Sequence, residues 1–494
     1  MAKRTTAAHL AALSLDPTAA APLYRQLYFG IREAILAGQL QPGIRLPSTQ
    51  TLARDLGLSR NTAVSAYEQL LAEGYLDGRV GAGSYVSRVL PEALLHARQL
   101  PQKSLKENSA SPPKLSKRGA MLAQLRSPQG RPPQAFSLGL PELSVFPFED
   151  WARLLARRWR QPPRKFLVGG DPSGYRPLRE ALAHYLGAAR AVSCDPDQIL
   201  IVSGAQQALD LVSRALIDPG DRVWVEEPGF SGTWSALLAS GAQLTPVPAD
   251  DEGIDVQQGR QLAPEARLIC VSPSHQYPLG ISMTLRRRLE LLDWARTADA
   301  FVLEDDYDSE YRYAGRPLAA MQGLDEDGRI IYVGSFSKVM FPGLRIGYMV
   351  APPALVEPFR AIRRLLDSHP SSVAQAALAD FITEGYLTSH IRRMRALYEE
   401  RQVALLDAVQ STLGDRLKIA PDDAGMHLVG YLPNDVDDAA LSQRAAANNV
   451  VAPPLSAFYR NAPLRKGLLL GYAGVPEKEI WRATKRLANA LTSN

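Results

Sequence analysis

The chain has 494 residues, 46% of them hydrophobic, with only two cysteines; that length exceeds one ordinary core and predicts two or three domains without a disulfide framework. No run of eighteen apolar residues occurs, and the opening MAKRTTAAHLAALSL has neither a convincing apolar core nor a cleavage site, so no membrane span or secretory leader is expected, and the expected compartment is the cytoplasm. The net charge of +5 is uneven: residues 1–90 hold nine Lys+Arg against six Asp+Glu, residues 91–135 eight against two, and the rest 39 against 43, so the excess positive charge lies in the front end and connector.

From Pro22 the chain reads PLYRQLYFGIREAILAG, with Leu23, Leu27, Ile31 and Ile35 at helical spacing and Gly38 as the stop. Ser48 is placed to cap a short second helix through Leu56, Gly57 to make a tight turn, and Ser59 to cap a third helix to about Glu73. Val64, Tyr67, Leu70 and Leu71 form the expected buried face of that third helix. Its first turn, with Arg60, Asn61 and Thr62 followed by Ser65, offers donors and small side chains suited to a major groove. YLDGRVGAGSYV then reads as two short strands around a turn whose Gly81 and Gly83 let backbone approach phosphate.

LPSTQTLARDLGLSRNTAVSAYEQLLAEGYL and GAGSYV resemble the winged helix-turn-helix of the GntR regulators over about 65 residues. The resemblance implies DNA contacts from Arg60 and Thr62 and from the start of the second helix, where Gln50 replaces the usual arginine. The implied DNA-facing set is Arg45, Ser48, Gln50, Arg60, Asn61, Thr62, Ser65 and Gly83, in a domain spanning residues 1–90. Residues 91–135, with PQKSLKENSASPPKLSKRG and RSPQGRPPQ, lack apolar periodicity and read as a basic, Pro- and Ser-rich linker.

Residues 136–494 alternate apolar strands with helical stretches: ILIVSG, RVWVEEP, RLICVSP, FVLEDDY and IIYVGSF, each followed by a loop. The expected fold is α/β, with a mixed, mostly parallel sheet whose ligands sit beyond the carboxyl ends of the strands. Those ends are chemically distinctive. Gly204 permits a turn that aims the N–H groups of Ala205 and Gln206 at an anion. FVLE runs into Asp305 and Tyr307, two apart on extended chain. IIYVG runs into Ser335 and Lys338, with Arg345 beyond.

A lysine in the weakly charged stretch SFSKVMFPGLRIGY has a depressed pKa unless paired, and its free amine can form a Schiff base. Pyridoxal 5'-phosphate needs such a lysine, a carboxylate for its pyridine nitrogen, a phenol for its ring hydroxyl, and hydroxyls with an arginine for its phosphate. The constellation therefore predicts this cofactor, and no metal.

The body resembles the fold-type I aminotransferases, with a smaller C-terminal subdomain, and the whole chain resembles the MocR-type transcriptional regulators. The resemblance implies a Schiff base at Lys338, a pyridine-nitrogen contact at Asp305, and a ring-hydroxyl contact at Tyr307. It implies phosphate contacts at Ser335, Arg345, Ala205 and Gln206, and Phe230 over the ring face. Gly169 stands where a tyrosine would reach the partner subunit's phosphate, and Tyr277 replaces the asparagine before Pro278, which points to impaired amino-acid turnover. Arg460 and Arg465 are both candidates for binding an effector carboxylate, and spacing does not separate them. His275, in SPSHQYP, reads equally as a proton relay or a loop-fixing residue and stays outside the catalytic set.

The implied partners are double-stranded operator DNA, a small amine or amino-acid effector, a second copy in a head-to-tail homodimer, and RNA polymerase as a further candidate. Two functions stay open: a regulator sensing an amine, an amino acid or the cofactor itself, and an active aminotransferase carrying a DNA-binding domain.

Overall fold

The computed structural model describes residues 10, 13, 15–19, 21–79, 83–90, 114–124, 134–315 and 318–492. Gly81 and most of the basic connector lie outside these. The described residues fall into two compact units that part between Lys114 and Leu115.

In the first unit, helix α1 (Leu23–Leu36) packs on α3 (Arg60–Ala72), with α2 (Thr49–Asp55) between them in sequence. Ser48 and Ser59 cap α2 and α3 as expected, accepting the N–H groups of Thr51 and Thr62 at 3.1 Å each. The face of α3 differs from expectation by part of a turn. Tyr67 and Leu70 are buried, but Val64 and Leu71 are only half-buried, and Ala63 and Ala66 turn inward. Small side chains there let α1 approach closely, with Leu27 and Ile31 filling the seam. Strands β1 (Leu76–Arg79) and β2 (Gly83–Val86) form an antiparallel wing, with Leu76 opposite Val86 and Arg79 opposite Gly83.

The second unit holds an eight-stranded sheet. Its strands are β3 (Ile199–Val202), β4 (Arg222–Glu227), β5 (Gln243–Asp250), β6 (Gly253–Ile254), β7 (Leu268–Val271), β8 (Phe301–Asp306), β9 (Ile330–Ser335) and β10 (Gly347–Val350). Their spatial order is β3-β10-β9-β8-β7-β4-β5-β6. Pairings from β5 through β4, β7 and β8 to β9 are parallel, whereas β10 runs antiparallel to both its neighbours and β6 to β5. Side chains alternate across the sheet: Leu200 and Val202 join the core under the Ala205–Leu216 helix, while Ile199 and Ile201 join the opposite core with Leu178 and Leu182. The sheet is therefore covered on both faces, and its open surface is the edge where the parallel strands end.

A smaller C-terminal subdomain packs the antiparallel pair β11 (His427–Tyr431) and β12 (Gly467–Gly471) with the helices Tyr386–Thr412 and Glu477–Thr492. Ala135 bridges Val450 and Phe136 bridges Gly471, so the chain enters the body through this subdomain. Within the segment expected to be a featureless linker, Lys117–Gln124 forms a two-turn helix with no buried residue. Its cause is local: Ser116 accepts the Gly119 N–H at 3.0 Å as an N-cap, and Lys, Arg, Ala, Met, Leu and Gln are good helix formers. No described helix is long and apolar enough to cross a membrane.

Candidate functional site

The pairing of β8 with β9 sets Asp305 opposite Val333 and Asp306 opposite Gly334, which brings the ends of both strands to one edge of the sheet. There the Lys338 Nζ donates to the Gly139 carbonyl at 2.9 Å, and the Lys338 carbonyl accepts the Tyr311 hydroxyl at 3.0 Å. Gly139 has φ +61°, and a Cβ on it would overlap the Lys338 amine, so a side chain there would strain the backbone and displace the amine. Burial lowers the Lys338 pKa, partly offset by the charges of Asp308 and Asp305.

The Asp305 carboxylate has no hydrogen-bond partner among the described residues. Burial, followed by repulsion from Asp306 and Asp308, lifts it to about 7. It lines a cavity with Glu226, Phe230, Trp234, Cys270 and Ser272. Glu226 accepts the Ser272 N–H at 3.2 Å through Oε2 while Oε1 is buried without a partner, and burial with the nearby Asp305 charge raises it to about 8.

Strand β3 ends at Val202, and the Ala205–Leu216 helix begins just beyond Gly204 (φ +132°). Gly347 packs so closely that a Cβ on it would lie 2.9 Å from the Gly204 Cα. Arg345, held at φ +53°, brings Nη1 near Gly204, and among the described residues its guanidinium has no ion-pair partner. The Ser335 Oγ accepts the Ser337 N–H at 3.1 Å. The Gln206 side chain donates to the Gly232 carbonyl at 3.3 Å, and Phe230 stands beside Gly232 with 41% of its surface exposed. A free guanidinium over a helix N-terminus makes a dianion cradle. Together with a carboxylate that has no partner among the described residues, the half-buried Tyr307 phenol and a pKa-lowered lysine, this donor set fits pyridoxal phosphate.

Tyr307 and His275 meet here: the phenol oxygen lies 2.9 Å from His275 Nδ1. The same nitrogen lies 3.1 and 3.2 Å from the Asp308 carboxylate oxygens, and Nε2 lies 3.4 Å from Asp422 in the C-terminal subdomain. Of this cluster Tyr307 emerged from the sequence as a site residue and His275 was left open, whereas Asp308, Asp422, Gly139 and Glu226 did not emerge.

Both candidate effector arginines are exposed. Arg460 lies over Trp234, a cavity wall, at 5.6 Å, and Arg465 over Tyr431 of β11 at 5.6 Å. The structure thus brings Arg460 beside the pocket and leaves Arg465 before β12, over a side chain of β11. Glu227, also missed in sequence, fixes the loop carrying Arg460. Its Oε1 accepts the N–H groups of Arg460 and Asn461 at 2.8 and 2.7 Å, and Oε2 accepts the Asn461 amide at 3.2 Å. At Gly169 a Cβ would meet nothing within 4 Å.

On the first unit, Arg45, Ser48, Gln50, Arg60, Asn61, Ser65 and Gly83 are exposed and Thr62 half-buried. The Ser48 and Thr62 hydroxyls already serve their helix caps, each 2.8 Å from a second hydroxyl. Arg45 bridges Tyr85 on the wing, and its guanidinium lies against Gly83. Tyr67 donates to the Pro47 carbonyl at 3.0 Å and locks α3 to the entry of α2. Cation, backbone and helix end are thereby held on rigid supports.

Residues 23–86 match the family model for bacterial regulatory proteins of the gntR family, and residues 135–487 that for aminotransferase class I and II. The probable rhizopine catabolism regulatory protein MocR of Rhizobium meliloti is 43% identical over 480 residues, 97% of this chain and 96% of that one. An HTH-type transcriptional regulator of Bacillus subtilis, YhdI, is 34% identical over 96% of this chain and 97% of its own. Among solved structures, the kynurenine aminotransferase of Pyrococcus horikoshii is 31% identical with a TM-score of 0.67, over 78% of this chain and 96% of that one.

Proposed function

The chain belongs to the MocR-type transcriptional regulators, a GntR-type reader of DNA joined to an aminotransferase-like body, and from that premise we propose that it is a pyridoxal-phosphate-dependent sensor whose occupancy by a small amine or amino acid changes its binding to an operator. The carrying observation is the convergence at one sheet edge of a pKa-lowered Lys338 with Asp305 and Arg345, neither of which has a charged partner among the described residues. Bound pyridoxal phosphate supplies an aldehyde that an amine joins reversibly with loss of water.

The chain's own residues do the rest. Burial disfavours the Lys338 ammonium and shifts it toward the free amine that a Schiff base needs. Asp305 would face the pyridine nitrogen, a cation that would balance its carboxylate. Ser335, Arg345 and the N–H groups of Ala205 and Gln206 would hold the phosphate, and Phe230 would lie over the ring face. Arg460, rather than Arg465, is the clamp for an effector carboxylate, supported by its place over Trp234.

Residues 1–90 then read DNA, 91–135 link, and 136–494 bind cofactor and pair two copies head to tail in the cytoplasm, so that two heads meet two half-sites. An effector that favours one arrangement of the pair alters DNA affinity by its differential affinity for the two states. RNA polymerase is the proposed further partner at the promoter. A variant has the cofactor itself as signal.

The rival reading, an active aminotransferase, draws support from the likeness to the kynurenine aminotransferase. One experiment separates them: absorbance of the purified protein during titration with a panel of amines and amino acids, with product analysis and operator binding followed in parallel. A visible band that responds without keto-acid product, with changed DNA affinity, supports the sensor. Accumulating keto acid and pyridoxamine phosphate makes it an enzyme, and no band under cofactor refutes both.

A further inference from the structure

The Tyr307 phenol has one proton and two directions in which to send it: inward to His275 or outward to the cofactor's ring oxygen. We propose that His275 is a positioning residue that forces the proton outward, and that Asp422 ties this arrangement to the C-terminal subdomain. The inference rests on the cofactor reading above.

The geometry allows little else. His275 is 2% exposed and has a carboxylate at each ring nitrogen, Asp308 at Nδ1 and Asp422 at Nε2. A proton on each nitrogen satisfies both carboxylates, and the Nδ1–H then also faces the phenol oxygen, which accepts. A phenol that accepts from inside keeps its own O–H for the outside. With a neutral histidine bearing a lone pair on Nδ1, the phenol would instead donate inward and leave the ring oxygen without a partner.

The other groups around the imidazole agree. Burial opposes its charge, but Asp308 and Asp422 outweigh burial and lift His275 to about 10. His427, whose ring centre is 5.8 Å away, is pushed down to about 4 by burial and the His275 charge and faces the Pro278 carbonyl at 3.0 Å, so it stays neutral. Tyr307 and Tyr277 are raised by burial and stay protonated. Gly280 (φ +79°) and Gly425 (φ +94°) close on the ring from two chain segments; a Cβ on Gly280 would lie 3.2 Å from Nε2, and one on Gly425 would overlap the ring. The histidine therefore sits in a slot made half by the large body and half by the C-terminal subdomain.

A donor at the ring oxygen makes that oxygen a poorer seat for the proton that titrates in the cofactor-loaded protein. Removing it moves the midpoint of the visible absorbance upward in pH. The test compares H275Q, D422N, Y307F and the H275Q/Y307F pair in the full-length, cofactor-loaded protein by absorbance against pH. H275Q and Y307F should each raise the midpoint by about one unit, a tenfold change in proton affinity. D422N should raise it by less, and the pair no further than Y307F alone. Wild-type midpoints in both H275Q and D422N, or a histidine shift that adds in full to the tyrosine shift, overturn the proposal. Should H275Q not fold, D422N decides: a raised midpoint supports the proposal and a wild-type midpoint overturns it. A wild type without a visible band overturns the cofactor reading and this inference with it, whereas a normal wild-type band with an unmoved H275Q and D422N overturns this inference alone.

Discussion

Replacing Asp305 with asparagine should strengthen the cofactor-free fold while weakening the holoprotein. The carboxylate titrates at about 7 in the folded chain against an ordinary 3.8, because burial and the charges of Asp306 and Asp308 disfavour its ionised form. For an acid raised on folding, the destabilisation is absent below the unfolded pKa, grows as pH rises, and levels off above the folded pKa. Linkage puts it at roughly 2 kcal/mol near pH 5.5 and roughly 4 kcal/mol near pH 8. A buried, unpartnered asparagine amide has its own desolvation penalty of about 2 kcal/mol at either pH. The protonated wild-type carboxyl carries a similar neutral-group penalty, so the two cancel. The variant should therefore exceed wild type by roughly 2 kcal/mol near pH 5.5 and roughly 4 kcal/mol near pH 8, a margin that widens by about 4 °C in melting temperature. Thermal unfolding of both proteins stripped of cofactor at the two pH values measures this. A variant that melts no higher near pH 8, or by a margin that does not change with pH, refutes the account of Asp305 as an ionisable group waiting for a cation. With cofactor present the order should reverse, because the amide cannot neutralise a pyridinium.

Lys338→Ala should abolish the visible cofactor band while the circular dichroism spectrum stays that of wild type. Gly139→Ala, which sets a methyl group on the Lys338 amine and strains a backbone at φ +61°, should lower cofactor loading at least tenfold by absorbance titration. Arg60→Ala should weaken operator binding by about 1–3 kcal/mol in a gel-shift or anisotropy titration and leave the cofactor band unchanged.

The strands that build the site were legible because buried parallel strands are short apolar runs, and ILIV, FVLE and IIYV announce themselves and their polar ends. Lys338 stood out because a lysine in an apolar turn needs a reason. Residues whose work depends on partners distant in sequence were not legible. Gly139 looks like any loop glycine until the chain brings Lys338 back across 199 residues. His275 meets Asp308 at a separation of 33 and Asp422 at 147, so its local context could not choose between relay and brace. The antiparallel insertion of β10 between β3 and β9, where Gly347 packs closely on Gly204, is likewise something that periodicity does not encode. The α3 face was misjudged because size rank favoured Val64 and Leu71, whereas a close helix crossing selects Ala63 and Ala66.

The Glu227 tether has a consequence for the order in which the molecule is made. Strand β4 leaves the ribosome with Glu227 at its tip, but the amides that satisfy this carboxylate belong to Arg460 and Asn461, more than two hundred residues later. The head, with its own core around Leu27, Ile31 and Leu70, is complete hundreds of residues earlier. A message cut short between these points would therefore release a complete head attached to a body whose pocket wall is unfinished.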